Sequence, residues 1–126
     1  MNKEFIPYEE ALALKELGFD EPCFTWYWDD IGLYNGLEYG NHNKREHVVS
    51  APTFSQAFRW FREKYDLHNG IYPYYDEYEY QIKDFRLPTN TPINGGLMKY
   101  EEAELACLKK LIKIVKTKKY ESNILR

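Results

Sequence analysis

The chain has 126 residues, 44% apolar, 29% charged and 17% aromatic, with a net charge of −3. That size and balance fit a single globular domain, 1–126, and exclude a disordered or low-complexity chain. No apolar run approaches the roughly 18 residues of a membrane span, and the first ten residues lack a leader's apolar core, so the expected location is cytoplasmic, with no membrane partner.

The first helix is predicted from Pro7 onward. Proline suits the first helical position, and Glu9 and Glu10 favour the positive helix start. Ala11, Leu14 and Leu17 recur on one face. Gly18 should end the helix in the left-handed conformation, with Phe19 folding back onto Leu14. Cys23 to Trp28 is too short and too aromatic for a helix and reads as a strand, with Phe24, Trp26 and Trp28 on one face and Thr25 and Tyr27 on the other. Two turn signals follow, one at Asp29-Asp30 or Ile31-Gly32 and one at Asn35-Gly36, too close together for both to close long hairpins. Residues 40–45 read as a polar loop and Glu46 to Ser50 as a short strand.

Thr53-Phe54-Ser55-Gln56 has the form of a capping box, in which hydroxyl and amide satisfy each other's free backbone donors. Phe54, Ala57, Phe58, Phe61 and Tyr65 continue one helical face, and Arg59, Arg62 and Glu63 face water. This helix should end by Asn69-Gly70. Residues 71–83 read as a strand of period two, with Asp76, Tyr78, Tyr80 and Ile82 on one side and Glu77, Glu79, Gln81 and Lys83 on the solvated side. Residues 84–99 form a long loop with a further short strand near Leu97-Met98. The last helix spans Glu101 to Lys118, acidic at its start and lysine-rich toward its end, as the helix dipole favours. The architecture expected is α+β, about three helices packed on one face of a mostly antiparallel sheet of about four strands. Its core should hold Leu14, Phe19, Trp26, Phe54, Phe58, Phe61, Tyr80, Leu108, Leu111 and Ile112.

Charge is unevenly spread. Residues 1–40 carry two lysines against nine acids, a net of −7, and residues 87–126 carry eight basic residues against four glutamates, a net of +4. Such poles steer charged partners. An acidic, tyrosine-bearing surface at Tyr75, Asp76, Glu77 and Glu79 is one candidate for protein binding. Together with Asp20, Glu21, Asp29 and Asp30 it could imitate the charge of a nucleic-acid backbone. Lys109, Lys113, Lys116, Lys118 and Lys119 are the alternative, a basic helix face for nucleic acid. Tyr72, Tyr74, Tyr75, Tyr78, Tyr80, Trp26 and Trp28 could stack on unpaired bases, but acids surround the tyrosines and no Lys or Arg interleaves with the rings, which favours sheet packing.

Enzyme signals are sparse. Asp29, Asp30 and His47 could serve a small metal-dependent hydrolase or nuclease, although an Asp pair after a strand more often supplies a turn. His42 and His47, five residues apart, lack helical ligand spacing and read as solvated loop histidines. Cys23 and Cys107 each stand alone and read as reduced, buried thiols. No P-loop, dinucleotide fingerprint or nucleophile elbow is present, and no cofactor or catalytic set is assigned.

Three segments carry a resemblance: Ile6-Pro7-Tyr8-Glu9-Glu10-Ala11-Leu12-Ala13-Leu14-Lys15-Glu16-Leu17-Gly18-Phe19, then Ala51-Pro52-Thr53-Phe54-Ser55-Gln56-Ala57-Phe58-Arg59-Trp60-Phe61-Arg62-Glu63-Lys64-Tyr65, then Tyr100-Glu101-Glu102-Ala103-Glu104-Leu105-Ala106-Cys107-Leu108-Lys109-Lys110-Leu111-Ile112. They resemble a family of small uncharacterised proteins encoded in phages, prophages and mobile elements of Bacteroides-like bacteria. The resemblance covers the three helical segments and implies an origin but no catalytic residue. It favours a non-enzymatic accessory module that binds a host or phage macromolecule, a protein first and a nucleic acid second.

Overall fold

Helix α1 (Tyr8–Glu16) begins one residue later than proline at the first helical position would place it, because Pro7 is extended at φ −64, ψ 161 and acts as the cap. Its end is as expected. Gly18 takes φ 95, its N–H donates to Lys15 O at 3.0 Å, and the Phe19 N–H donates to Leu14 O at 2.9 Å. These two bonds are the Schellman stop, which positions Phe19 over Leu14, and both side chains are buried. The computed structural model describes residues 4–29, 32–87 and 92–124.

Contacts divide the chain into two compact units, Met1–Gln56 and Ala57–Arg126. In the first, β1 (Cys23–Trp28) is the central strand of a three-stranded antiparallel sheet in the order β2-β1-β3, with β2 (Gly32–Gly40) and β3 (Val48–Ser50) at its edges. Trp28 pairs with Gly32, so the chain turns between them, and Asn35 lies inside β2 opposite Thr25. Asn35-Gly36 is therefore not the hairpin turn. It sits where the register slips between Thr25↔Asn35 and Cys23↔Gly40, the kind of irregularity glycine permits in a strand. Asp30 lies outside the described residues.

The buried face of β1 is that of Cys23 and Thr25, and Phe24 and Trp28 are exposed. Trp26 is accordingly only half-buried, a correction to its expected place in the core. Two hydroxyls on this face tie the strand to neighbouring chain: the Thr25 hydroxyl donates to Ala51 O, and the Tyr27 hydroxyl donates to Ile6 O at 2.8 Å.

Helix α2 (Phe54–Tyr65) forms half of its expected capping box. The Gln56 N–H donates to Thr53 Oγ1 at 3.1 Å, but the Gln56 side chain turns to Pro22 O at 2.9 Å and Glu21 Oε1 at 3.3 Å. The helix stops at Tyr65, ahead of Asn69-Gly70, since Asp66 takes φ 56.

In the second unit, the expected single strand over 71–83 is instead a hairpin. β4 (Leu67–Tyr74) and β5 (Glu77–Asp84) pair in register from Leu67↔Asp84 to Tyr74↔Glu77, turning at Tyr75-Asp76. The short β6 (Ile93–Asn94) adds to β5, and a bridge joins Tyr78 to Met98, so the extra strand falls slightly earlier than Leu97-Met98. Among the described residues, six strands thus form two three-stranded antiparallel sheets within the α+β fold. Helix α3 (Tyr100–Ile124) packs on β5 and β4. Leu108, Leu111, Val115 and Cys107 are buried with Leu67, Ile82 and Tyr80 of the hairpin's inner face. Each such aliphatic side chain stabilises by about 1.5–3 kcal/mol, enough to hold so long a helix on so small a sheet.

Candidate interaction surface

The hairpin's outer face alternates with its buried one. His68, Gly70, Tyr72 and Tyr74 of β4 lie opposite Lys83, Gln81, Glu79 and Glu77 of β5. Tyr72 covers Gly70 so closely that a Cβ there would overlap its ring. At the base, His68 stacks on Phe85 at 3.9 Å and meets Asp66 at 2.7 Å, and these rings wall a shallow groove of about 230 Å³ with Tyr72 and Gln81.

At the tip, Tyr75 is 91% exposed and holds φ 59. A left-handed backbone is uncommon for a bulky residue and costs roughly 1–3 kcal/mol. Tyr74 meets the Tyr75 ring edge-on at 4.9 Å and is itself 53% exposed. Asp76 and Glu77 are exposed beside them and Glu79 is half-exposed. None of the three is in an ion pair with another described residue. The four residues expected as an acidic, tyrosine-bearing site are thus brought together, with Tyr75 and Asp76 in the turn and not along a strand.

The basic helix face is only partly present. Lys109, Lys113 and Lys116 are exposed, at spacings of four and three that align them. Lys118 is committed elsewhere: its ammonium bonds Asp84 Oδ2, and Arg86 Nε takes Asp84 Oδ1 at 3.2 Å. This corrects Lys118 as a site for nucleic acid. The Lys119 side chain lies outside the described residues.

Of the hydrolase candidates, Asp29 and His47 meet at 3.1 Å, Nδ1 to Oδ2, and the Asp29 N–H donates to His47 O at 2.7 Å. Both residues have positive φ. The pair holds the ends of β1 and β3, and no hydroxyl or thiol among the described residues is bonded to His47. No cluster of three or more His, Cys, Asp or Glu among the described residues could hold a metal.

His42 is not a solvated histidine; it is 4% exposed. Its Nε2 meets Cys23 O at 2.9 Å and its Nδ1 meets the Arg45 guanidinium at 3.0 Å. A carbonyl only accepts and a guanidinium only donates, so His42 is the neutral Nε2–H tautomer. Its ring lies 4.5 Å from Trp26, and Arg45 stands 6.0 Å over the same indole. A cation therefore does meet an aromatic ring here, which the sequence order concealed. With Phe24, Trp28, Tyr34 and Tyr39 exposed, this sheet presents a second aromatic surface. The signal available in the sequence is the alternation of Phe24, Trp26 and Trp28 on one face of β1, of which Trp26 alone is expected in the core.

Burial pushes both thiols up to about 12, helped at Cys23 by the charge of Glu21. Neither is a nucleophile at neutral pH. No helix among the described residues is long and apolar enough to cross a membrane. No protein-family model matches the chain, and neither the curated proteins nor the solved structures yield a match.

Proposed function

We propose that the chain is a non-enzymatic protein-binding accessory module of phage or mobile-element type, and that the β4–β5 hairpin tip is its contact surface. One observation carries this reading: a strained, almost fully exposed tyrosine beside a second tyrosine and three carboxylates without an ion pair among the described residues. The two-residue turn needs the positive φ at position 75 but not a tyrosine, and a bulky ring held in water at that cost finds its return in a contact. Tyrosines suit such a contact because they bring large, stiff, amphipathic area to an interface. The carboxylates favour a partner with a basic surface, of host or phage origin.

The test is site-specific photo-crosslinking, with a photoreactive phenylalanine analogue at Tyr75 and, as control, at the exposed Arg59. The expected result is a protein adduct at position 75 alone, competed by unlabelled chain and not by a Tyr74→Ser, Glu77→Lys variant. Equal labelling at both positions, or competition by the variant, counts against the hairpin.

The aligned lysines Lys109, Lys113 and Lys116 favour a second reading, nucleic-acid binding through α3. It requires retention on heparin that falls with salt and is lost in Lys109→Glu, Lys113→Glu, Lys116→Glu. Flow-through of the native chain at low salt removes it.

A further inference from the structure

We infer that the partner is taken as an extended, lysine- or arginine-bearing segment that adds as a fourth strand along the open edge of β4. This rests on the hairpin reading and specifies what the hairpin holds.

The geometry follows from the hydrogen-bond phase of the sheet. Tyr78 and Tyr80 direct their backbone groups away from β4, toward Met98 and Gly95, with bonds of 2.8 Å and 3.0 Å. On the other phase, the Phe85 N–H bonds Asp66 O at 3.2 Å. In an antiparallel ladder bonded and non-bonded pairs alternate. Pro73, Ile71 and Asn69, opposite Tyr78, Tyr80 and Ile82, therefore turn their backbone groups away from β5. β4 is the end strand of its sheet, and no strand among the described residues pairs with that edge. Proline is tolerated at position 73 for this reason: its missing N–H would have pointed outward. The edge thus presents the N–H and C=O of Asn69 and Ile71 and the C=O of Pro73, a template for strand addition.

Charge chooses the occupant. A strand added to β4 lies two strand spacings, about 10 Å, from β5. An extended lysine or arginine crossing Tyr72 or Tyr74 meets Glu79 or Glu77, which lie opposite those rings and have no ion-pair partner among the described residues. The tyrosine faces offer the crossing cation a further attraction. At the other end Lys83, opposite His68, repels a cation, so the basic residues of the segment lie toward the hairpin tip.

The probe is a short peptide of alternating lysine and valine, compared with its glutamate counterpart and with a version N-methylated at alternate amides. Binding is read by fluorescence anisotropy and amide hydrogen exchange on the whole chain. The lysine peptide should bind and slow exchange at Asn69 and Ile71. N-methylation on the edge-facing amides should weaken it on the order of tenfold, as expected for two lost backbone bonds. Glu77→Lys with Glu79→Lys should weaken it further, and the glutamate peptide should not bind. Binding that tolerates N-methylation in both phases, yet still depends on Glu77, overturns strand addition and leaves the hairpin reading standing. Failure of the lysine peptide to bind also overturns it, and the crosslink at Tyr75 then decides the broader reading separately. Protection of Asn69 and Ile71 without peptide, together with a dimer in sedimentation, assigns the edge to a second copy and overturns the proposal.

Discussion

At Asp84, burial alone would push the carboxyl up, but hydrogen bonds from Lys118 and from the side chain and backbone N–H of Arg86 outweigh it and hold the group below the usual aspartate range. A depressed folded pKa stabilises fully above the unfolded value and loses that stabilisation as pH falls through the folded one. Asp84→Asn should therefore flatten the acid limb of the stability curve and cost about 1–2 kcal/mol at neutral pH, a modest figure because Lys118 and Arg86 are 38% and 44% exposed and screened by solvent. Urea midpoints of both proteins from neutral to acidic pH check this; parallel curves would refute it. The thiols give a second residue-level prediction. Burial pushes Cys23 and Cys107 up to about 12, so neither should react with iodoacetamide at neutral pH until the chain unfolds. Mass spectrometry showing native alkylation of either would contradict their burial.

At the scale of an element, the hairpin separates stability from binding. Tyr75→Gly relieves a left-handed backbone while loosening the unfolded chain, two effects of opposite sign and each on the order of 1 kcal/mol. The urea midpoint should hold or rise while the crosslinked partner or the peptide affinity is lost. A large fall in stability would mean that the Tyr75 ring packs for the fold. This hairpin is also where the sequence was least readable. Its turn is Tyr75-Asp76, without the glycine or asparagine that marks positive φ, so an unbroken period of two read as one strand. Asn35-Gly36 misled in the opposite direction, because the better turn dipeptide was used for a register slip within β2. Helices were legible because their signals are local: Gly18 and Phe19 end α1 through bonds to residues three and five back, and the apolar arc of α3 admits one orientation. The hub of His42 was not legible, since Cys23 and Trp26 reach it from β1, 19 residues away for Cys23, and meet Arg45 there only in the fold. The acidic tyrosine site was legible in composition and hidden in form.

For the whole molecule the open quantity is cooperativity. The chain divides into Met1–Gln56 and Ala57–Arg126. Units of roughly 60 residues bury only about 60% of their unfolded surface and are marginal alone. That size predicts one cooperative unit over 1–126. Native-state hydrogen exchange in rising denaturant tests it within a single protein, using Tyr27 in the central strand β1 and Ile82 in the central strand β5. Their opening free energies should converge on one global value with the slope of complete unfolding. Convergence on two values would make each half a folding unit of its own, and the hairpin proposed to bind a partner would then belong to a module that can open while the aromatic sheet of β1, β2 and β3 stays closed.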